Sequence, residues 1–149
     1  MQTVLITGGT GMVGTSLTQL LLSKGYQVII LTRKPQSSAI PNLTYAVWDI
    51  AKGYIDPLAN GKADTIVHLA GAGVADKRWS KKRKQEIVDS RVMSGALLVK
   101  YLTEIPHQVK TVVTSSAIGW YGPDTAQSLQ HGFVETDPAD GAFLGDTCK

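Results

Sequence analysis

The sequence predicts an α/β fold, a doubly wound parallel sheet, on three observations: short β-branched runs alternate with helical periodicity, the first run ends in a glycine cluster, and one long amphipathic stretch separates the last two runs. The first run, Thr-Val-Leu-Ile at residues 3 to 6, stops at Gly8 and Gly9, as a buried parallel strand does before its crossover helix. Leu17, Leu20, Leu21 and Leu22 give the following helix an apolar face, and Gly25 stands where a C-terminal cap belongs. Val28 to Leu31 forms the second strand. After a proline-bounded loop from Pro35 to Pro41, Leu43 to Trp48 forms the third and Thr65 to Leu69 the fourth. A long helix starts with Ser80 as its N-cap and runs to Leu102, because Val88, Val92, Ala96, Val99 and Leu102 recur at three- and four-residue spacing. Val109 to Thr114 is the fifth strand. Right-handed crossovers then give the strand order 3-2-1-4-5 of a Rossmann-type sheet. From Gly119 onward glycine, proline, aspartate and glutamine dominate, so the tail is expected to be mostly loop over the carboxyl edge of the sheet, where ligands bind.

Composition narrows the class. A chain of 149 residues, 43% hydrophobic and 18% charged, suits one globular domain and excludes a disordered one. The start, MQTVLITGG, carries no charged leader and its apolar run is too short for a signal peptide or membrane span, so a cytoplasmic protein is expected. The lone Cys148 cannot form an internal disulfide and reads as structural filler; no metal site is expected. The net charge of +3 is uneven, with residues 77 to 110 strongly basic and 111 to 149 net acidic.

The chemistry concentrates at strand ends. Thr7 to Gly14 reads TGGTGMVG, with Gly8, Gly11 and Gly14 spaced three apart, directly after a strand and opening a helix. Glycines there allow a tight turn and close backbone approach to a pyrophosphate, which sits at the partly positive helix end. An NAD-type site has an acidic residue at the end of the second strand; here Thr32 is followed by Arg33 and Lys34. Two cations suit a 2′-phosphate, which favours NADP(H) over NAD(H), the alternative being a solvated pair of loop charges. Asp49, after the third strand, is placed either to accept from an adenine amino group or to initiate a turn. Leu69-Ala70-Gly71 offers small residues against which a cofactor can lie, while His68 reads as an edge residue. Ser115 and Ser116 end the fifth strand and Tyr121 follows closely, so hydroxyls are presented to polarise a substrate carbonyl or carbinol. Lys77 to Lys84 holds six basic residues in eight with Trp79 among them: a solvated helix start, a positive rim for anionic ligands, or, least favoured, a nucleic-acid contact. Arg91 is placed either toward the cleft or in a surface pair with Asp89 or Glu86.

With these pieces in place the chain resembles the extended short-chain dehydrogenase/reductase superfamily, through TGxxGxxG, the small-residue motif after the fourth strand and the serine at the end of the fifth. More narrowly it resembles the NAD(P)-dependent epimerase-family branch, whose stretch ADxRWxxxRKxEIxxSR is matched from Ala75-Asp76-Lys77-Arg78-Trp79 through Ser90-Arg91. The resemblance implies that Gly8, Gly11 and Gly14 form the phosphate loop, with backbone contacts from Thr10, Met12 and Val13, and that Arg33 selects NADP. It also implies Asp49 near adenine, Leu69, Ala70 and Gly71 against the ribose, and Ser116 as the catalytic serine, with Tyr121 a nearby extra hydroxyl. The superfamily's YxxxK pair should fall near Phe143 to Thr147, and neither residue is there. That loss keeps open a non-catalytic NADPH-responsive binding protein beside an oxidoreductase or epimerase acting on an unknown small molecule. The branch is longer, so residues 1 to 149 are expected to be an incomplete NAD(P)-binding domain, truncated before the last strands and the substrate-binding part and inactive alone. Helix pairs in the superfamily also imply a homodimer.

Overall fold

The computed structural model describes residues 2 to 149. Strands β1 (Thr3–Thr7), β2 (Gln27–Thr32), β3 (Leu43–Asp49), β4 (Tyr54–Ile55), β5 (Thr65–His68) and β6 (Thr111–Thr114) form one sheet in the order β4-β3-β2-β1-β5-β6. All pairs are parallel except β3 with β4. The five predicted strands keep their predicted order; the addition is β4, a two-residue strand too short for any hydrophobic period to announce. It folds back on β3 through a turn in which Gly53 adopts φ +62°.

Central strands read as unbroken apolar runs because both faces are covered. Leu5, Ile29, Leu31 and Ile66 point to one side, under helix α2 (Lys81–Glu104), where Leu97 and Leu98 meet them. Val4, Ile6, Val28 and Ile30 point to the other, against Leu17, Leu21 and Leu22 of α1 (Met12–Ser23). All five residues of β1 are buried. At about 1.5–3 kcal/mol for each buried aliphatic side chain, this strand is the axis of the fold.

Both helix boundaries follow the sequence signals. Gly25 closes α1 at φ +81°, its N–H donating to Leu22 O at 3.0 Å and that of Tyr26 to Leu21 O at 3.1 Å, the paired bonds of a Schellman end. Ser80 caps α2, its hydroxyl accepting from Arg83 N at 3.2 Å. Two faces differ from expectation. Leu20 is 52% exposed, because the buried positions of α1 are Gly14 and Thr18 with Leu17, Leu21 and Leu22 packed beside them, and one step of about 100° carries Leu20 outward. On α2 the stripe Val88, Val92, Ala96, Val99 is not the packed face: Val92 is 63% and Val99 62% exposed, while Ile87, Ser94, Leu97, Leu98 and Tyr101 are buried. Tyr101 decides this rotation. Its hydroxyl donates to Ala59 O at 2.7 Å and accepts from Gly61 N at 3.1 Å, so a second stripe that fits the sheet also satisfies two buried backbone groups. Burial raises its phenol pKa.

The tail is less open than a loop. It contains a 3₁₀ turn (Ile118–Trp120) and two short helices, α3 (Ser128–His131) and α4 (Phe143–Cys148). Phe143 meets Trp79 edge-on at 5.4 Å between ring centroids, and the Lys84 ammonium lies 5.0 Å from the Phe143 ring centre. The tail is thereby fastened to the start of α2.

Candidate functional site

The turn from β1 into α1 leaves no room for a side chain at Gly8 or Gly14. Gly8 sits at φ +70°, and a Cβ there would come within 2.8 Å of Leu69 C and 3.0 Å of Ala70 N. A Cβ on Gly14 would collide with Gly8 O and lie 2.6 Å from the Gly9 Cα. Gly11 N donates to Gly8 O at 3.0 Å, closing the loop, and no side chain caps α1. The loop is thus a bare backbone cradle at an uncapped helix start, the arrangement that receives a phosphate.

A cleft of about 870 Å³ opens from this loop. Of the sequence-predicted binding residues, Gly8, Thr10, Gly11, Arg33, Leu69, Ala70 and Gly71 line it together. Lys34 joins them: the Thr32 hydroxyl donates to Lys34 O at 2.6 Å, and this tight turn presents Arg33 and Lys34 at the rim. Met12 and Val13 stand at the first turn of α1, 86% and 60% exposed, outside the lining, and Gly14 is buried beneath the loop. Asp49 carries the turn role: its carboxylate accepts from Lys52 N at 3.1 Å and pairs with Lys52 Nζ at 3.5 Å. Its neighbours Trp48 and Ile50 form the cleft wall there.

The opposite wall involves residues that sequence reasoning placed elsewhere. Arg83, read as part of a solvated basic run, is buried at 6% exposure and holds Gly73 O at 2.5 Å, Asp76 at 3.4 Å and Glu86 at 2.7 Å. Its hydrogen bond holds the Glu86 carboxyl below the usual range. Trp79 Nε1 donates to Val74 O at 2.7 Å. Lys77 to Lys84 is therefore partly engaged inside the molecule. Arg91 makes neither of the surface pairs: Glu86 is held by Arg83 and Asp89 by Gln85. Its guanidinium donates to Ala72 O and Ile87 O and lies against Gly71, backing the cleft wall. The run of basic residues gives no sign of which one turns inward.

Ser116 and Tyr121 come together in a second cavity of about 490 Å³, shared with Ala117, Ile118, Trp120 and Glu135. Tyr121 stacks on Phe133 at 4.7 Å between centroids. Glu135 belongs to no motif and went unread; it is the one carboxylate lining this cavity. Among the described residues no group of His, Cys, Asp or Glu is disposed to hold a metal ion, and no helix is long and apolar enough to cross a membrane.

A glycine cradle, a cationic rim and small-residue walls at the carboxyl edge of a parallel sheet define a dinucleotide-binding α/β domain. Residues 4–141 match the NAD dependent epimerase/dehydratase family, and the chain belongs to that family. It is 37% identical to the epimerase family protein SH2119 of Staphylococcus haemolyticus over 98% of this chain and 46% of that protein. With the epimerase family protein YfhF of Bacillus subtilis it shares 32% identity over 97% and 46% respectively. Among solved structures it superimposes on the human epimerase family protein SDR39U1, crystallised with NADPH, with a TM-score of 0.76 and 30% identity, covering 98% of this chain and 46% of that one. The chain thus spans just under half the length of these relatives.

Proposed function

We propose that residues 1–149 form the NADP(H)-binding domain of a cytoplasmic epimerase/dehydratase-like oxidoreductase acting on an unidentified small molecule. The observation that carries this reading is the cleft itself: a glycine loop that admits no Cβ at Gly8 or Gly14, facing a rim where Arg33 and Lys34 follow β2 with no carboxylate beside them. The NADPH in the human relative's structure supports the same choice. The lone Cys148 suits a reducing compartment.

In this reading Gly8, Gly11 and Gly14, with the first-turn backbone of Thr10, Met12 and Val13, hold the pyrophosphate, and Arg33 grips the 2′-phosphate. Asp49 stays at the adenine end, while Leu69, Ala70 and Gly71 flank the ribose. The nicotinamide, when bound, supplies hydride exchange at carbon. Ser116 and Tyr121 orient and polarise the substrate oxygen by hydrogen bonding. A second reading, an NADPH-responsive binding protein, is favoured by α4: its six residues, Phe143 to Cys148, include neither tyrosine nor lysine for a proton relay.

Calorimetric titration of the parent chain and of Arg33→Ala with NADPH and NADH at matched ionic strength tests the site. The parent is expected to bind NADPH at least about tenfold tighter, and the variant to lose that preference. Equal affinity of the parent for both nucleotides would overturn the assignment. Turnover in a screen of carbonyl and nucleotide-sugar substrates separates the enzyme from the regulator, which would bind NADPH without turnover.

A further inference from the structure

Behind the small-residue wall, three side chains form a hydrogen-bonded relay whose directions are fixed by counting protons. Thr7 Oγ1, fully buried, accepts from Leu69 N and Ala70 N, each at 3.2 Å, and lies 2.7 Å from His68 Nδ1. A hydroxyl has two lone pairs and one proton. Two backbone N–H groups point at that oxygen, and His68 Nδ1 is the acceptor within reach of its proton, so the Thr7 proton is donated to Nδ1, which therefore carries none. The proton of the neutral imidazole sits on Nε2, facing the Ser94 hydroxyl at 3.3 Å. Ser94, also fully buried, donates its own proton to a helix carbonyl, Ser90 O at 2.6 Å or Arg91 O at 3.1 Å, and not to the ring, and so has a lone pair free to accept.

The relay bears on the cleft through a single peptide. Leu69 N has a second acceptor, Thr7 O at 3.1 Å, whereas Ala70 N is held by the Thr7 hydroxyl. That Leu69–Ala70 peptide is the group packed against Gly8, within 3.0 Å of where its Cβ would be. We propose that His68, locked as the Nε2–H tautomer between Thr7 and Ser94, is a positioning residue that sets the Leu69–Gly71 wall against the glycine loop and thereby governs dinucleotide affinity. The proposal rests on the dinucleotide reading above.

Protonation would break the lock geometrically. An imidazolium donates from both nitrogens, so the Thr7 hydroxyl would lose the acceptor of its proton and Oγ1 would face three donors with two lone pairs, which loosens its hold on the Leu69–Ala70 peptide. The groups around the ring are Thr7 from β1, Ser94 from α2, and Ser115 after β6, whose N–H donates to His68 O at 3.3 Å. Arg91, one turn back on α2, is engaged with Ala72 O and Ile87 O, and no carboxylate pairs with the ring among the described residues. Burial holds the imidazole below its ordinary pKa of 6.5, in keeping with a ring built to stay neutral.

Two readouts test this on the 149-residue chain. Imidazole nitrogen chemical shifts, recorded without ligand, should show His68 Nδ1 unprotonated and Nε2 protonated at neutral pH; the reverse tautomer or an imidazolium would overturn the lock. NADPH titrations of the parent, His68→Asn and His68→Leu between about pH 7.5 and about pH 5.5 then read its effect. Asn presents an amide oxygen near the Nδ1 position and does not titrate, so its affinity at the upper pH should match the parent's, while the Leu variant should bind about tenfold more weakly throughout. The parent should lose more affinity than His68→Asn on acidification, by no more than about tenfold at about pH 5.5 because the ring titrates below 6.5, and any titration of the 2′-phosphate is common to both. Equal acid slopes in the parent and the Asn variant would overturn the proposal. If no chain binds NADPH or NADH, the dinucleotide reading has failed and the affinity claim falls with it, while the ligand-free shifts still report whether the lock exists.

Discussion

The two cavities along the carboxyl edge of this sheet are built in opposite ways. The dinucleotide cleft borrows its shape from the core: Gly8 lies against the Leu69–Ala70 peptide, and the strands leading to both, β1 and β5, are hydrogen-bonded neighbours in the middle of the sheet. The tail cavity is built from side chains resting on one another, Tyr121 on Phe133 and Trp120 Nε1 on Asp137 O at 3.0 Å, with Ile118 left 82% exposed. The inner wall of a site of the first kind is set by the fold and changes only with it. One of the second kind is free to vary, which is where a family holding one cofactor site would place its differing substrates.

Paired substitutions sharpen this contrast. Ile66→Ala, at a fully buried position on β5, is expected to cost about 2–5 kcal/mol, whereas Val134→Ala in the exposed tail should stay within about 0.5 kcal/mol in denaturant titrations. Comparable losses at both positions would erase the distinction. Gly14→Ala drives a Cβ into Gly8 O and should abolish nucleotide binding while lowering stability by about 1–3 kcal/mol; Gly141→Ala, with open space around it, should do neither. Tyr101→Phe orphans Gly61 N and Ala59 O and should cost about 1–3 kcal/mol in thermal melts, while Tyr121→Phe leaves stability nearly unchanged. Smallest is Ser80→Ala, about 1 kcal/mol from loss of the α2 cap. A larger effect there would mean that the cap also anchors the tail through Trp79.

What was legible in the sequence was local. The glycine loop, the Gly25 and Ser80 caps and the strand order each follow from a few adjacent residues or from a chirality rule. What was not legible depended on partners distant in the chain. The inward face of α2 was misread because two apolar stripes compete along it, and the arbiter, Tyr101 bonding at Ala59 and Gly61, lies some 40 residues from its partners. Arg83 looked like its five basic neighbours until Gly73 O, Asp76 and Glu86 claimed it. Leu20 failed for want of knowing which side the sheet lay on. Arg33 and Leu69 to Gly71, which line the cleft, are announced by strand ends, while Glu135, which lines the second cavity, sits in a stretch with no periodicity.

The turn after β2 has a consequence for descent. Thr32, the last residue of the strand, is buried, and Arg33 and Lys34 immediately beyond it are exposed. The side chains that meet the rim of the nucleotide cleft are thus surface residues, replaceable at almost no expense to the fold. If Arg33 grips the 2′-phosphate as proposed, a lineage carrying this scaffold can revise its choice of nucleotide by single surface mutations, leaving the glycine cradle and the core beneath it untouched.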